Sequence, residues 1–165
     1  MERNEFINRL FARARERAGD ASDFACEACF GRSESFEVQV KDGEIIASSN
    51  NQVTKGNDPT AHAEVMAIRK ACKKLKTFDL SGCELYASCE PCPMCLSSMY
   101  WAHIDRYYYA NQKEDAKSIG FDDQFIYDEL DKPAGKRKLP REQMLRDEAM
   151  EVFRAWTEKE DKVEY

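Results

Sequence analysis

Hydrophobic positions recur along this chain with two periods, and the changes between them divide it into elements. Over residues 5–18, Phe6, Leu10, Ala14 and Ala18 return every four residues, with Ile7 and Phe11 widening the stripe. That pattern predicts an amphipathic helix, stopped at Gly19-Asp20. Arg9, Arg13 and Arg17 form a second stripe on it, read as a solvated face rather than an RNA contact. Residues 21–35 carry no clear period. Phe36 to Val40 alternate with period two, Lys41-Asp42-Gly43 is a turn signal, and Glu44 to Ser48 follow as a partner strand, so a β-hairpin is predicted. Ser49 to Pro59, rich in Asn, Gly and Asp, reads as a loop. Val65, Ile68, Cys72 and Leu75 then predict a helix over 61–76 with Thr60 as its N-cap. A short strand at Cys83–Ala87 leads through a turn to a helix that begins at Cys92, has Pro93 in its first turn and ends with Met99-Tyr100-Trp101. Tyr107–Ala110 reads as a strand, Gln124–Leu130 as a short helix, and 132–141 as a basic loop. Ala149, Val152, Phe153 and Trp156 mark a last amphipathic helix before a charged tail ending at Tyr165. Helix, hairpin, helix, strand, helix, strand, helices is an order that predicts a three-layer α/β/α sandwich. With 165 residues and neither repeat nor linker, one domain is expected over 1–165.

Charge narrows the function classes. Lys and Arg number 25 against 31 Asp and Glu, a net −6. Binding a polynucleotide relies on neutralising phosphates with basic side chains, so no nucleic-acid partner is expected. The start, Met1-Glu2-Arg3-Asn4-Glu5, lacks the apolar core of a signal peptide, and the stretch from Pro91 to Ile104 is too short and too polar to span a bilayer. A cytoplasmic protein with no membrane partner is the expectation. Seven cysteines without a signal peptide speak against a disulfide framework, and Cys72 and Cys83 read as core fillers.

Two segments carry the chemistry. Thr60-Ala61-His62-Ala63-Glu64 supplies an imidazole and, two residues on, a carboxylate; Pro91-Cys92-Pro93-Met94-Cys95 supplies two thiols three residues apart. Zinc takes such N and S ligands in a tetrahedron, and three protein ligands leave the fourth position open, as in catalytic sites. His62, Cys92 and Cys95 are therefore the expected ligands of one zinc ion, with Glu64 as acid and base. H-x-E followed by P-C-x-x-C is the pattern of zinc nucleobase deaminases. An alternative pairs Cys26 and Cys29 with Cys92 and Cys95 in a four-cysteine structural site. Its gap from Cys29 to Cys92 is far longer than the 15–20 residues of such ribbons, and it leaves His62 and Glu64 without a role.

These residues resemble the cytidine-deaminase-like superfamily and, within it, the bacterial guanine deaminase branch. The resemblance rests on Asn57-Asp58-Pro59-Thr60-Ala61-His62-Ala63-Glu64-Val65, on Ser88-Cys89-Glu90-Pro91-Cys92-Pro93-Met94-Cys95, and on Gly120-Phe121-Asp122-Asp123-Gln124-Phe125-Ile126-Tyr127. It implies a mixed five-stranded sheet, zinc-dependent hydrolytic deamination of guanine to xanthine, and a homodimer whose C-terminal segments, residues 146–165, are exchanged. It also implies that Asn51, Ala63, Trp101 and Asp123 line the purine pocket and that Tyr165 enters the partner's site. One stretch departs: where the family has Gly-Gly-Pro-Phe-Gly-Ala, this chain reads Gly31-Arg32-Ser33-Glu34-Ser35-Phe36-Glu37. The aromatic that stacks on the base is then Phe36, or it is missing. Deamination of a related amino-purine, nucleoside or triazine, and a non-catalytic zinc module, are the competing readings.

Overall fold

The computed structural model describes residues 36–42 and 44–164, with 36–40 and 44 in backbone only. The helix expected over 5–18, Cys26, Cys29 and Tyr165 lie outside the described residues. By contacts the chain divides into two units, residues 1–123 and 124–165.

In the first unit, β1 (Phe36–Lys41) and β2 (Glu44–Asn50) form the hairpin, with Asp42 at φ +48° in its turn. β1 also pairs antiparallel with β3 (Cys83–Cys89), and β3 pairs parallel with β4 (Arg106–Asn111), giving the order β2-β1-β3-β4. The sheet is mixed, as expected, and has four strands among the described residues rather than five. The stretch between the last two helices, with Pro133, Gly135 and Pro140, forms only a 3-10 turn at Ala134–Lys136. Proline removes ladder donors, and no period-two pattern is present there.

The described residues of this unit form four helices: α1 (Val53–Gly56), α2 (Ala63–Leu75), α3 (Pro93–Trp101) and α4 (Lys113–Ser118). α1 falls inside the stretch read as loop, ended by Asn57 at φ +48°. β3 shows why the core sits where it does. Cys83, Leu85 and Ala87 point to one face and are wholly buried with Ile68 and Ala71 of α2, Met99 of α3, Leu80 and Ala102. Strand alternation sends Glu84 and Tyr86 to the other face, where the Tyr86 hydroxyl donates to Glu84 at 2.8 Å and the Tyr86 and Tyr108 rings stack 4.7 Å apart. α2 and α3 thus lie on one face of the sheet and start from the same end of it.

The second unit contains α5 (Gln124–Asp131) and α6 (Arg146–Glu158). Among all described residues no helix is long and apolar enough to cross a membrane.

Candidate metal centre and active site

The two helix starts converge. His62 is the N-cap of α2, with extended backbone at ψ 155°. The expected cap, Thr60, is engaged elsewhere: its N–H and hydroxyl both donate to Asp58 Oδ1, at 2.8 and 2.7 Å. This local turn ends the loop two residues later than the capping signal implies, and it frees His62 to lead into the helix. Cys92 is likewise the N-cap of α3, with Pro93 at its first position, where a missing N–H costs nothing, and Cys95 lies buried in the first turn.

His62 Nδ1 lies 3.6 Å from Cys92 Sγ and 3.5 Å from Cys95 Sγ, and the two sulfurs are 3.6 Å apart. Tetrahedral zinc with bonds of about 2.3 Å to sulfur and about 2.0–2.1 Å to nitrogen holds sulfurs roughly 3.8 Å apart and sulfur and nitrogen roughly 3.6 Å apart. The three side chains already form that triangle. Among the described residues this is the one cluster of three or more His, Cys, Asp or Glu whose ligand atoms lie within 4.8 Å of one another. The electrostatics agree. Hydrogen bonds from Cys95 and His62 hold the Cys92 thiol down at about 4, while its neighbour Cys92 and burial push Cys95 up. Cys95 therefore holds its proton more tightly than Cys92 does, and metal binding displaces it. Helix N-termini on both sides add further stabilisation of thiolate.

Glu64 stands next to this triangle, buried at 7% exposure in the first turn of α2. Burial raises its pKa, and its carboxyl interacts with Cys95. A carboxyl poised to hold a proton beside a metal is suited to general acid–base work.

The remaining expected residues divide. Ala63 is wholly buried at the start of α2. Asn51 is carried close by: Gln52 N donates to Ala61 O at 2.9 Å, and Asn51 Oδ1 accepts the Val53 N–H at 2.9 Å. That bond commits the amide oxygen and leaves the NH2 as the group's donor. Asp123 is half-buried, with its pKa raised by burial and then by the Cys92 charge, and its own charge is felt at His62. Trp101 ends α3, six residues past Cys95, or about 9 Å along the axis at 1.5 Å per residue; it is 65% exposed. Phe36 opens β1 with its Cα opposite that of Asn50. Two neighbours escaped sequence reading. The Cys89 thiol, at the end of β3, has its pKa raised by burial and feels the charges of Glu64 and Asp123. The Glu90 carboxylate reaches the start of α4. Both sit inside the Cys-Glu-Pro-Cys run, where the cysteine ligand signal hides any other.

A sheet with two helix N-termini offering His, Cys and Cys, and a buried Glu beside them, is the architecture of a zinc-dependent hydrolytic deaminase. Residues 12–111 match the cytidine and deoxycytidylate deaminase zinc-binding region, and the chain belongs to that family. It is 55% identical over 128 residues to a guanine deaminase of Bacillus subtilis, covering 78% of this chain and 82% of that one. To a tRNA-specific adenosine deaminase of Aquifex aeolicus it is 37% identical over 117 residues, covering 70% and 74%. The X-ray structure of guanine deaminase from Bacillus subtilis superposes with a TM-score of 0.81 at 46% identity, covering 100% of this chain and 99% of that one.

Proposed function

We propose that this protein deaminates guanine to xanthine and ammonia, as a cytoplasmic homodimer with one zinc ion per subunit. The observation that carries the reading is Glu64, a buried carboxyl of raised pKa against the His62–Cys92–Cys95 triangle. The 55% identity to a guanine deaminase supports the choice of base, and the net charge of −6 favours a free base over tRNA.

His62, Cys92 and Cys95 hold the metal, which when bound supplies an electrophilic centre that brings the pKa of a nearby water toward about 7. Glu64 takes the proton from the attacking water, whose oxygen bonds to the amino-bearing carbon, C2. It passes that proton to the ring nitrogen and then carries the second proton, from the new C2 hydroxyl, to the exocyclic amine, so that the C2 carbonyl forms as the exocyclic C2–N bond breaks and ammonia departs. Asn51, with its oxygen committed to Val53, donates from its NH2 to a purine acceptor. Asp123 accepts from a purine N–H. Ala63 leaves room for the ring above α2, and the place of the family's stacking aromatic falls to Phe36 or is left empty. Helical side chains lean toward the N-terminus, so the Trp101 indole walls the pocket edge.

The exchange of residues 146–165 between subunits is supported by α6. Ala149, Val152, Phe153 and Trp156 form an apolar stripe at helical spacing, yet Val152 and Phe153 are 68% and 67% exposed and Trp156 44%. A second copy covers that stripe, and Tyr165 of each chain closes the pocket of the other. Ammonia release from purified protein offered guanine, guanosine, adenine, cytidine and ammeline tests the reading. Guanine is expected to be turned over fastest. Faster release from cytidine would overturn the substrate, and no release from any of them would leave a zinc-binding module.

A further inference from the structure

We propose that Glu90 is a positioning residue that sets the place of Asp123 through helix α4; the inference rests on reading Asp123 as a substrate contact. α4 is six residues long, Lys113–Ser118, too short to hold itself together in water. Its position is therefore set by what grips its ends.

The grip at its start comes from the turn that bears the metal ligands. Glu90 N donates to Asn111 O at 2.8 Å, Asn111 Nδ2 donates to Ser88 O at 3.1 Å, and the Glu90 carboxylate accepts the Lys113 N–H at 3.3 Å. Glu90 thus holds the entry to α4 from both its backbone and its side chain. Asp115 closes the first turn by accepting the Gln112 N–H at 2.8 Å. At the other end Gly120, at φ +96°, donates to Lys117 O at 3.0 Å, and Phe121 N donates to Ala116 O at 3.0 Å. Hydrogen bonds thus link Glu90 to Lys113 and brace the chain from there to Phe121, and Asp123 follows two residues later. The Lys117–Asp122 ion pair, at 3.1 Å, is open to solvent on both sides, so it adds little.

Glu90 precedes Cys92 by two residues, so one turn fixes the metal ligands and, through α4, the carboxylate that faces the substrate. The metal ligands have further support of their own, since Cys95 is wholly buried and Pro91 and Pro93 are buried beside it. Losing the Glu90 acceptor should then let Asp123 drift while the metal stays. Small misplacements of binding groups are costly.

The test is a double-mutant cycle on the zinc-loaded protein, reading KM, kcat and zinc content with guanine. Glu90→Ala is expected to raise KM about five- to tenfold, the size of one lost hydrogen bond, with kcat and zinc within twofold. Glu90→Gln, whose amide oxygen still accepts, is expected within twofold of the parent. In an Asp123→Asn background, Glu90→Ala is expected to add nothing further. Should it add its full factor there, or should zinc leave with it, the proposal is overturned while Asp123 stands. An unchanged KM in Asp123→Asn alone would overturn the reading of Asp123, and this proposal with it. If Glu90→Ala does not fold, Lys113→Pro against Lys113→Ala isolates the same N–H, because proline is accepted at a first helical position. Equal KM values for those two would also overturn the proposal.

Discussion

His62 Nδ1 stands 3.5 Å from Cys95 Sγ, although 33 positions separate the two residues along the chain. That separation is bridged by the sheet, which sets the starts of α2 and α3 side by side. The metal centre is thus a property of the fold, and either helix alone holds only part of the triangle.

Replacing Cys92 and Cys95 together with Ala is expected to abolish zinc binding. The motivation is the closed triangle of 3.5–3.6 Å edges, which no longer exists with His62 alone. Metal analysis of the purified variant checks it. A full equivalent of zinc retained through Cys26 and Cys29 would refute the assignment.

Glu64→Gln is expected to keep zinc and lose turnover by 10²-fold or more, the usual scale for a general acid–base group being about 10²–10⁴. A variant within threefold of the parent on guanine would remove Glu64 from its role. The same substitution carries a pH signature. Burial raises the Glu64 pKa above its ordinary 4.5. Between the unfolded and the folded pKa the folded chain binds more protons, so stability falls as pH rises through that window, and the full penalty remains above it. Gln does not titrate. With zinc removed by a chelator, the melting temperature of Glu64→Gln is expected to overtake the parent as pH rises from about 4.5, with no gap below it. A gap of constant size would contradict the buried-carboxyl account.

The sequence made the metal centre legible because its signal is chemical. Cysteines three apart after a proline, and a histidine two before a glutamate, are uncommon arrangements with one economical explanation. Strands and the long helices were legible through period, as at Val65, Ile68 and Leu75. What escaped lacks period. α4 reads Lys-Glu-Asp-Ala-Lys-Ser, without an apolar face, and owes its form to Glu90 and Asp115 at its start. The capping signal of α2 misleads for a related reason. Thr60 has the right side chain, but Asp58, two residues earlier, takes its hydroxyl and its N–H first. The four-residue α1 reads as loop because Asn57 and its neighbours are turn formers, and a single helical turn ending in a left-handed Asn has that composition.

The apolar stripe of α6 yields a prediction about assembly. Val152, Phe153 and Trp156 are all more than two-fifths exposed, and burying one such side chain is worth about 1.5–3 kcal/mol. Phe153→Asp with Trp156→Asp is expected to shift the protein from dimer to monomer in size-exclusion chromatography with light scattering. A parent protein that is itself monomeric at micromolar concentration would sink the exchange of residues 146–165.

Deleting Val163, Glu164 and Tyr165 is expected to leave the dimer and the zinc intact. The value of kcat/KM for guanine is expected to fall by tenfold or more, about 1.4 kcal/mol of transition-state binding. Judged by composition, a charged tail after the last helix does nothing, and its loss is neutral. Judged by the family resemblance, it brings a phenol and the terminal carboxylate over a partner's purine, where they can bond base edges and keep water out. Binding energy used for orientation shows in turnover as well as affinity. Mixing two impaired proteins separates the possibilities. One carries Glu64→Gln with its tail intact, and the other lacks the tail but keeps Glu64. Subunit exchange places the intact tail of the first chain over the intact Glu64 of the second, so a heterodimer has one complete site and activity is expected to return. If heterodimers form, as mass spectrometry under native conditions would show, and activity stays at the level of the truncated protein, the tail does not act across the interface.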